Sequence, residues 1–326
     1  MDNRNFTIDE ILEREKFILV DTSAESAFHQ DNDWFHKVAG ANIYSQLSQV
    51  LLTDVIEGTQ EFCEFLSHGN VYTTQGVSEE MARAAVLLRR KDKNLKQGTR
   101  RLPKDVRRKQ NYRRLTDENP QKQRFISLVS VYDRLNRQIR RGVYTPNTGM
   151  PATAENRFAF DYDSLNTLVR DLSAAAGIKK DFRGRHTMFV PLNELKEETY
   201  TDEELVATAM YNAAVCSTPT AILTADSDIP KMLDLVVWCS AQAECEESGR
   251  LIETLEASPV RAYFIHKNSS ANTSIELKTD TAEHIAMLRR SRRIKIIHLP
   301  ANFEKIFDTV FGRQSPEEKQ PYVLAR

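Results

Sequence analysis

Two short apolar runs, each followed at once by an acidic side chain, constrain the fold of this chain more than any other feature. Phe17-Ile18-Leu19-Val20 precedes Asp21, and Ala221-Ile222-Leu223-Thr224-Ala225 precedes Asp226. Short apolar runs of this kind are typical of strands buried in a sheet. In an open α/β sheet, the carboxyl ends of parallel strands border one crevice. The two aspartates are therefore expected at the same edge of one sheet.

Two further acidic stretches lie where the sequence predicts the first turns of helices. Ser78 precedes Glu79 and Glu80, and Thr201 precedes Asp202, Glu203 and Glu204. A Ser or Thr cap followed by acids is typical of a helix start, because the first turn exposes backbone N–H groups and the positive end of the helix dipole. We expect helices from Ser78 to Leu88 and from Thr201 to Ala214. Their first turns are expected at the crevice that the strand ends border.

Carboxylates that converge on one crevice repel each other unless a cation joins them. Mg²⁺ and Mn²⁺ are hard cations that prefer oxygen ligands, and carboxylates supply them. We predict a Mg²⁺ or Mn²⁺ site in this crevice, formed by carboxylates of the four acidic stretches. The hydroxyl groups predicted to orient waters or carboxylates around it are those of Thr22, Ser23 and Thr224.

Each acid also has a simpler interpretation, which the sequence leaves open. Asp21 could cap a turn after its strand, and Glu80 could be a solvated acid favoured by the helix dipole. The glutamate that precedes Glu80 could replace it as a ligand. Asp202 could be a capping acid, and Asp226 and Asp228 could be ordinary residues of a strand-to-helix loop.

The net charge of −1 conceals a basic segment in the middle of the chain. Residues 89–141 contain 19 Lys and Arg against 5 Asp and Glu, whereas the whole chain contains 45 against 46. Such a split indicates a segment that contacts a polyanion, and binding through phosphates should weaken with salt. The predicted nucleic-acid contacts are Arg100, Arg101, Arg107, Arg108, Lys109, Arg113 and Arg114, and the predicted base-stacking side chains are Tyr112, Phe125 and Tyr132. A solvated basic surface, or an arm that docks on a second copy of the chain, is the alternative.

Length and composition are those of a protein with a sizeable core. The chain has 326 residues, of which 40% are apolar. Its apolar runs are shorter than the ~18 residues expected of a membrane helix, and the N-terminal segment lacks the apolar core of a signal peptide. We therefore expect a cytoplasmic protein that does not contact a membrane. The predicted fold class is α/β, with a central, mainly parallel sheet flanked by helices.

The order of the four acidic stretches resembles that of the PIN domain nuclease family. An apolar strand followed by Asp21-Thr22-Ser23 is similar to the opening motif of that family, and Val77 to Met81 is similar to its second motif. Asp202 to Ala209 and Leu223 to Asp228 resemble the third and fourth motifs. The resemblance covers about residues 15–88 and 195–300, and this chain is larger than a compact PIN domain.

The resemblance implies a PIN-like nuclease core at 1–88 and 190–326, interrupted by a basic, largely helical insertion at 89–189. Its motifs pick out Asp21, Glu80, Asp202, Asp226 and Asp228 as ligands of the cation. The resemblance also implies metal-dependent hydrolysis of phosphodiester bonds by Asp21, Glu80, Asp202 and Asp226, most often in RNA, which leaves a 5′ phosphate and a 3′ hydroxyl. The alternatives left open are a PIN-like protein that binds or assembles nucleic acid without cutting it, and a structure-specific DNA nuclease. A toprim-type site at Asp226-Ser227-Asp228 would leave Asp21 and Asp202 unexplained. A homo-oligomer or a protein partner is also compatible with the sequence.

Overall fold

The structure, a computed structural model, describes residues 5–30, 34–100, 120–146, 161–178, 201–267, 273–290 and 300–311. Within these residues, a six-stranded sheet lies between two layers of helices. The strands are β1 (Asn5–Phe6), β2 (Ile18–Val20), β3 (Val71–Tyr72), β4 (Thr220–Thr224), β5 (Val260–Lys267) and β6 (Thr273–Asp280). The α/β sheet flanked by helices that the sequence predicts is therefore confirmed.

The strand order across the sheet is β1-β6-β5-β4-β2-β3. The four strands β3, β2, β4 and β5 are parallel, whereas β6 pairs antiparallel with β5 and β1 pairs antiparallel with β6. These two antiparallel pairings make the sheet mixed. Because β2 and β4 are parallel neighbours, their carboxyl ends lie side by side. A further strand predicted at 294–299 lies outside the described residues.

Successive residues of the central strands face opposite layers of helices. Leu19 and Ile222 pack in one apolar cluster, whereas Val20 and Leu223 pack in the other. This alternation follows from the pleat of a strand, which directs neighbouring side chains to opposite faces. Parallel strands covered on both faces need apolar residues at every position. The uninterrupted apolar runs in β2 and β4 have this physical cause.

The helices of the first layer are α1 (Ile8–Arg14), α2 (Trp34–Gly40), α3 (Leu52–Phe65), α4 (Gln75–Arg100) and α5 (Pro120–Arg141), together with 3₁₀ helices at Thr22–Phe28 and Tyr44–Gln49. The helix predicted from Ser78 to Leu88 is α4, which starts earlier and continues much further. Leu88 and Leu95 are both buried in the same apolar cluster, so packing extends the helix beyond its predicted end.

Helix α5 lies within the predicted insertion, yet its apolar face is part of the first core. Phe125, Leu128, Tyr132, Leu135 and Ile139 are all buried in that cluster. Their alternating spacing of three and four residues places them on one helical face. The prediction that Phe125 and Tyr132 offer stacking faces to bases is therefore wrong, and Tyr112 lies outside the described residues. The domain boundaries stay a prediction, although α4 crosses residue 88 without a break.

The helices of the second layer are α6 (Tyr162–Ala176), α7 (Thr201–Cys216), α8 (Asp228–Gln242), α9 (Glu246–Ala257), α10 (Thr281–Arg290) and α11 (Phe303–Phe311). Helix α7 is buried without interruption from Leu205 to Ala213, because it packs against β4 and between other helices. The sequence predicts one helix over Ile229–Glu247, but the structure contains two. The backbone is extended at Ala243, where α8 ends, and the hydroxyl of Ser248 donates to the Ala243 carbonyl over 2.8 Å.

A buried ion-pair network joins α1 to the antiparallel edge of the sheet. Glu15, only 2% exposed, accepts from Arg261 Nη1 over 3.0 Å and from the Tyr263 hydroxyl over 2.5 Å. Arg261 Nε also donates to Asp280 Oδ2 over 2.7 Å. The other oxygen of Asp280 accepts from the N–H of Ala282 in the first turn of α10. One guanidinium group thus neutralises two carboxylates that the core has largely removed from water.

Candidate functional site

Asp21 follows β2 directly, and its side chain is buried at the carboxyl edge of the sheet with 3% exposure. Three hydroxyl groups lie against its carboxylate. Thr224 Oγ1 donates to Oδ2 over 2.9 Å, Ser23 donates to the same oxygen, and Thr22 Oγ1 lies 3.3 Å from Oδ1. All three hydroxyl residues predicted from the sequence therefore contact Asp21. Burial removes the Asp21 carboxylate from water, and the three hydroxyl groups provide hydrogen bonds in place of water.

Glu80 approaches the same place from α4. Its Oε2 lies 3.0 Å from Thr22 Oγ1, so a single hydroxyl group separates it from the carboxylate of Asp21. Glu79, the alternative candidate, is exposed and accepts from Gln75 Nε2 over 2.9 Å. The structure thus brings Asp21 and Glu80 together although they are far apart in sequence. Only the fold distinguishes Glu80 from its neighbour.

The residues after β4 donate backbone N–H groups to the hydroxyls that hold Asp21. The N–H of Ala225 donates to Ser23 Oγ, and the N–H of Asp226 donates to Thr224 Oγ1, each over 2.8 Å. Asp226 Oδ1 accepts from the N–H of Asp228 over 2.8 Å, at the start of α8. Asp228 is buried and pairs with Lys231 Nζ over 2.9 Å. Both predicted ligands after β4 therefore also have local structural partners.

The start of α7 contacts the start of α4, which carries Glu80. Glu204 Oε2 accepts from the N–H of Gly76 over 2.9 Å. A Cβ atom at position 76 would lie 2.3 Å from that oxygen, so a larger residue there would displace the Glu204 carboxylate. Asp202, the predicted ligand on α7, lies in the same first turn and is half-buried. The sequence places an acid here, but the contact of Glu204 with α4 is a tertiary feature.

Glu204→Gln is expected to become more stable relative to the wild type as the pH rises from about 4 to about 7. Burial raises the pKa of Glu204, the N–H of Gly76 opposes this, and the charge of Glu79 adds to it. A folded-state pKa above the unfolded value means that ionisation costs stability as the pH rises through that interval. Glutamine removes the cost.

Urea midpoints at the two pH values measure this effect. Glu253→Gln, which changes an exposed side chain on α9, is the matched control and should show no such trend. A difference between Glu204→Gln and the wild type that is independent of pH would contradict the prediction.

A second polar cluster lies buried behind the site, and the sequence did not predict it. Glu25, in the 3₁₀ helix Thr22–Phe28, is completely buried and accepts from Thr59 Oγ1 over 3.3 Å and from the Tyr132 hydroxyl. His29 Nε2 lies 3.1 Å from the same carboxylate oxygen. Burial raises the pKa of Tyr132, and the charge of Glu25 adds to this. The cluster fastens α3 and α5 to the segment that carries the site hydroxyls. The four-residue spacing of Glu25 and His29 is the sequence feature that could have indicated this cluster.

Of the seven predicted nucleic-acid contacts, one lies at the end of a described helix and six lie outside the described residues. Arg100 is the last residue of α4. The other six lie outside the described residues, namely Arg101, Arg107, Arg108, Lys109, Arg113 and Arg114. Their role in binding stays a prediction.

The groups around Asp21 suit a hard cation in their chemistry. Asp21, Glu80 and the hydroxyl of Thr22 present only oxygen atoms, which Mg²⁺ and Mn²⁺ prefer. Within the described residues, no three His, Cys, Asp or Glu side chains form a group able to hold a metal ion. Mg²⁺, however, is commonly bound through one or two carboxylates, with waters and substrate phosphates as its other ligands. Two carboxylates brought to one hydroxyl group fit that mode of binding.

Comparisons of the chain with protein-family models, with curated proteins and with solved structures give no match. The class that the structure defines is an α/β protein with a buried, hydroxyl-bound carboxylate at the carboxyl edge of its sheet. A functional assignment therefore depends on the site residues themselves and on the order of the motifs that contain them.

Proposed function

We propose that this chain is a metal-dependent endoribonuclease that hydrolyses phosphodiester bonds at the carboxyl edge of its sheet. The observation that carries the proposal is the convergence of Asp21 and Glu80 on the Thr22 hydroxyl. The four motifs that resemble those of PIN domain nucleases support the same reaction. They also support products that carry a 5′ phosphate and a 3′ hydroxyl.

Asp21 and Glu80 would hold the Mg²⁺ or Mn²⁺, and Asp202, Asp226 and Asp228 would add ligands directly or through water. The cation supplies charge neutralisation at the phosphate and lowers the pKa of an attacking water. The hydroxyls of Ser23 and Thr224 fix Asp21 Oδ2, and that of Thr22 contacts Oδ1, before substrate arrives. Such preorganisation reduces the rearrangement needed during the reaction.

Removal of divalent cations is expected to slow cutting by at least about 100-fold, because the cation contributes several kcal/mol of transition-state stabilisation. Labelled single-stranded and hairpin RNA is incubated with the protein in Mn²⁺, in Mg²⁺ and in EDTA, and addition of Mn²⁺ after EDTA should restore cutting. Enzymatic end-labelling of the products identifies the 5′ phosphate. Equal rates in EDTA and in Mn²⁺ would reject the proposal, and single-stranded DNA in the same assay separates a ribonuclease from a DNA nuclease.

A protein that binds or assembles nucleic acid without cutting it is the second candidate. The hydrogen bond of Asp226 to the start of α8 and the ion pair of Asp228 with Lys231 favour it, because both acids already have structural partners. A fold alone does not establish activity. For this candidate, RNA binds with equal affinity in EDTA and in Mn²⁺, and no products form in either.

The proposed setting is the cytoplasm, with RNA favoured over DNA as the partner. None of the helices in the described ranges is both long and apolar enough to cross a lipid bilayer. A second copy of the chain or another protein is proposed as a further partner. The mass measured by gel filtration with light scattering, with and without RNA, would identify such an assembly.

A further inference from the structure

A cleft of about 570 Å³ lies between α3 and α5, and its positive charge comes from one face of α5. Arg134, Arg137 and Arg141 line it from α5, whereas Gln60 and Glu64 line it from α3. The arginines are spaced by three and four residues, which places them on one side of the helix. They are exposed, and the apolar residues between them face the core.

The three guanidinium groups have no ion-pair or hydrogen-bond partner among the described residues, and they line the cleft together with a single carboxylate, that of Glu64. The nearby Arg89 behaves differently, because its Nη2 lies 2.6 Å from Asp133 Oδ1 on another face of α5. Burial raises the pKa of Cys63, which also lines the cleft, to about 11, although the charge of Arg134 opposes this. The thiol is therefore neutral at physiological pH, and the cleft keeps a net positive charge.

The helix dipole explains only part of this arrangement. Cations are favoured in the last turn of a helix, where carbonyl groups lack partners, and this accounts for Arg141. Arg134 and Arg137 lie further from the helix end, where the dipole effect has decayed. Three like charges aligned on one exposed helix face create a local positive potential that attracts anions.

The scaffold that carries the arginines is anchored. The Tyr132 hydroxyl donates to Glu25 in the core, and the chain after α5 is bonded to the sheet edge at Thr73. There the N–H of Thr73 donates to the Gly142 carbonyl over 2.9 Å, and the N–H of Tyr144 donates to the Thr73 carbonyl over 2.8 Å. Because the helix is already fixed, little backbone entropy is lost when this surface binds.

We propose that this cleft binds the phosphate backbone of single-stranded RNA through Arg134, Arg137 and Arg141. Seven residues of helix advance about 10 Å, which corresponds to about three steps of the 3.4 Å axial rise per nucleotide in a stacked strand. Gln60, across the cleft, provides amide groups for ribose or phosphate oxygens. The inference rests on the proposed function and deepens it, because it assigns a substrate contact to a described helix.

The test measures binding without cutting. Fluorescence anisotropy of a labelled oligouridine is recorded in EDTA at KCl concentrations from about 50 to about 300 mM, for three full-length proteins. They are the wild type, the cleft variant Arg134→Gln/Arg137→Gln/Arg141→Gln, and the control Arg289→Gln/Arg290→Gln/Lys305→Gln. The control removes the same charge from exposed positions on α10 and α11.

The cleft variant is expected to bind at least about tenfold more weakly at about 100 mM KCl. Its salt slope should fall by about 2, because each phosphate contact contributes about 0.7 for a single strand. The control should change affinity less than about twofold. If the triple variant does not fold, as judged by its unfolding transition, Arg137→Gln is used, with an expected decrease in slope of about 0.7.

Three results would overturn the inference: a cleft variant that matches the control, a wild type that does not bind RNA, or binding of polyglutamate in preference to RNA. The last result would indicate an acidic protein as the partner. The nuclease proposal can fail without affecting this test, because the RNA affinities are measured in EDTA and do not depend on cutting. Conversely, metal-dependent cutting with binding that is independent of the cleft would reject the cleft alone.

Discussion

Asp21→Asn is expected to lower the rate of RNA cutting by at least about 100-fold while the protein remains folded. The side chain is buried, Ser23 and Thr224 hold its Oδ2, and Thr22 contacts its Oδ1, so the carboxylate is placed to bind a cation at the strand end. Asparagine keeps the shape but removes the negative charge. A cation bound by one carboxylate fewer contributes less to transition-state stabilisation, and each tenfold loss corresponds to about 1.4 kcal/mol.

Single-turnover cleavage in Mn²⁺ measures this effect, and urea unfolding checks that the fold is retained. Asp163→Asn, which makes the same chemical change at an exposed position on α6, is the matched control and should cut at the wild-type rate. Binding of RNA in EDTA should be similar for both variants. If Asp21→Asn cuts as fast as Asp163→Asn, the assignment of Asp21 to the reaction is wrong.

Arg261→Met is expected to destabilise the protein by about 3–5 kcal/mol, the cost of removing one partner from a buried ion pair. Arg261 contacts both Glu15 and Asp280, and the side chains of these two acids are 1% and 8% exposed. Without the guanidinium group, Asp280 loses its cation, and Glu15 keeps only Arg14, whose Nε lies 3.3 Å from Oε1 and whose side chain is exposed. The hydroxyl of Tyr263 satisfies only one oxygen of Glu15.

The midpoint of chemical unfolding at neutral pH measures this cost. Arg289→Met removes an exposed pair with Glu256 and is expected to cost less than about 1 kcal/mol. Glu15→Gln combined with Arg261→Met should recover part of the loss, because one of the two buried charges that lost Arg261 is then absent. Equal costs for Arg261→Met and Arg289→Met would show that the network contributes no more than a surface pair.

Local patterns in the sequence were sufficient for several elements of the fold. The apolar runs that become β2 and β4 identify buried strands, and the acids after them mark the carboxyl edge of the sheet. The helical spacing from Phe125 to Ile139 identifies α5. These features depend on neighbours a few residues apart, so periodicity and capping residues encode them directly.

Sequence patterns did not predict several contacts between segments that are far apart along the chain. Helical spacing shows that Tyr132 belongs to an apolar stripe, but the packing of α3 and α5 decides that it is buried instead of available to bases. The break after Gln242, between α8 and α9, was also not predicted, because the hydrogen bonds of Ser248 help to hold that corner.

Local sequence patterns were enough to show that the chain folds around a sheet with acids at its strand ends, since burial on both faces requires apolar strands and leaves polar groups at the edges. The tertiary structure alone decided that Glu80 instead of Glu79 lies beside Asp21, that Glu204 contacts Gly76, and that three arginines of α5 line a cleft. Each of these depends on which faces of two helices, far apart along the chain, come into contact. That geometry is set by packing of the whole core, which no local pattern of residues encodes.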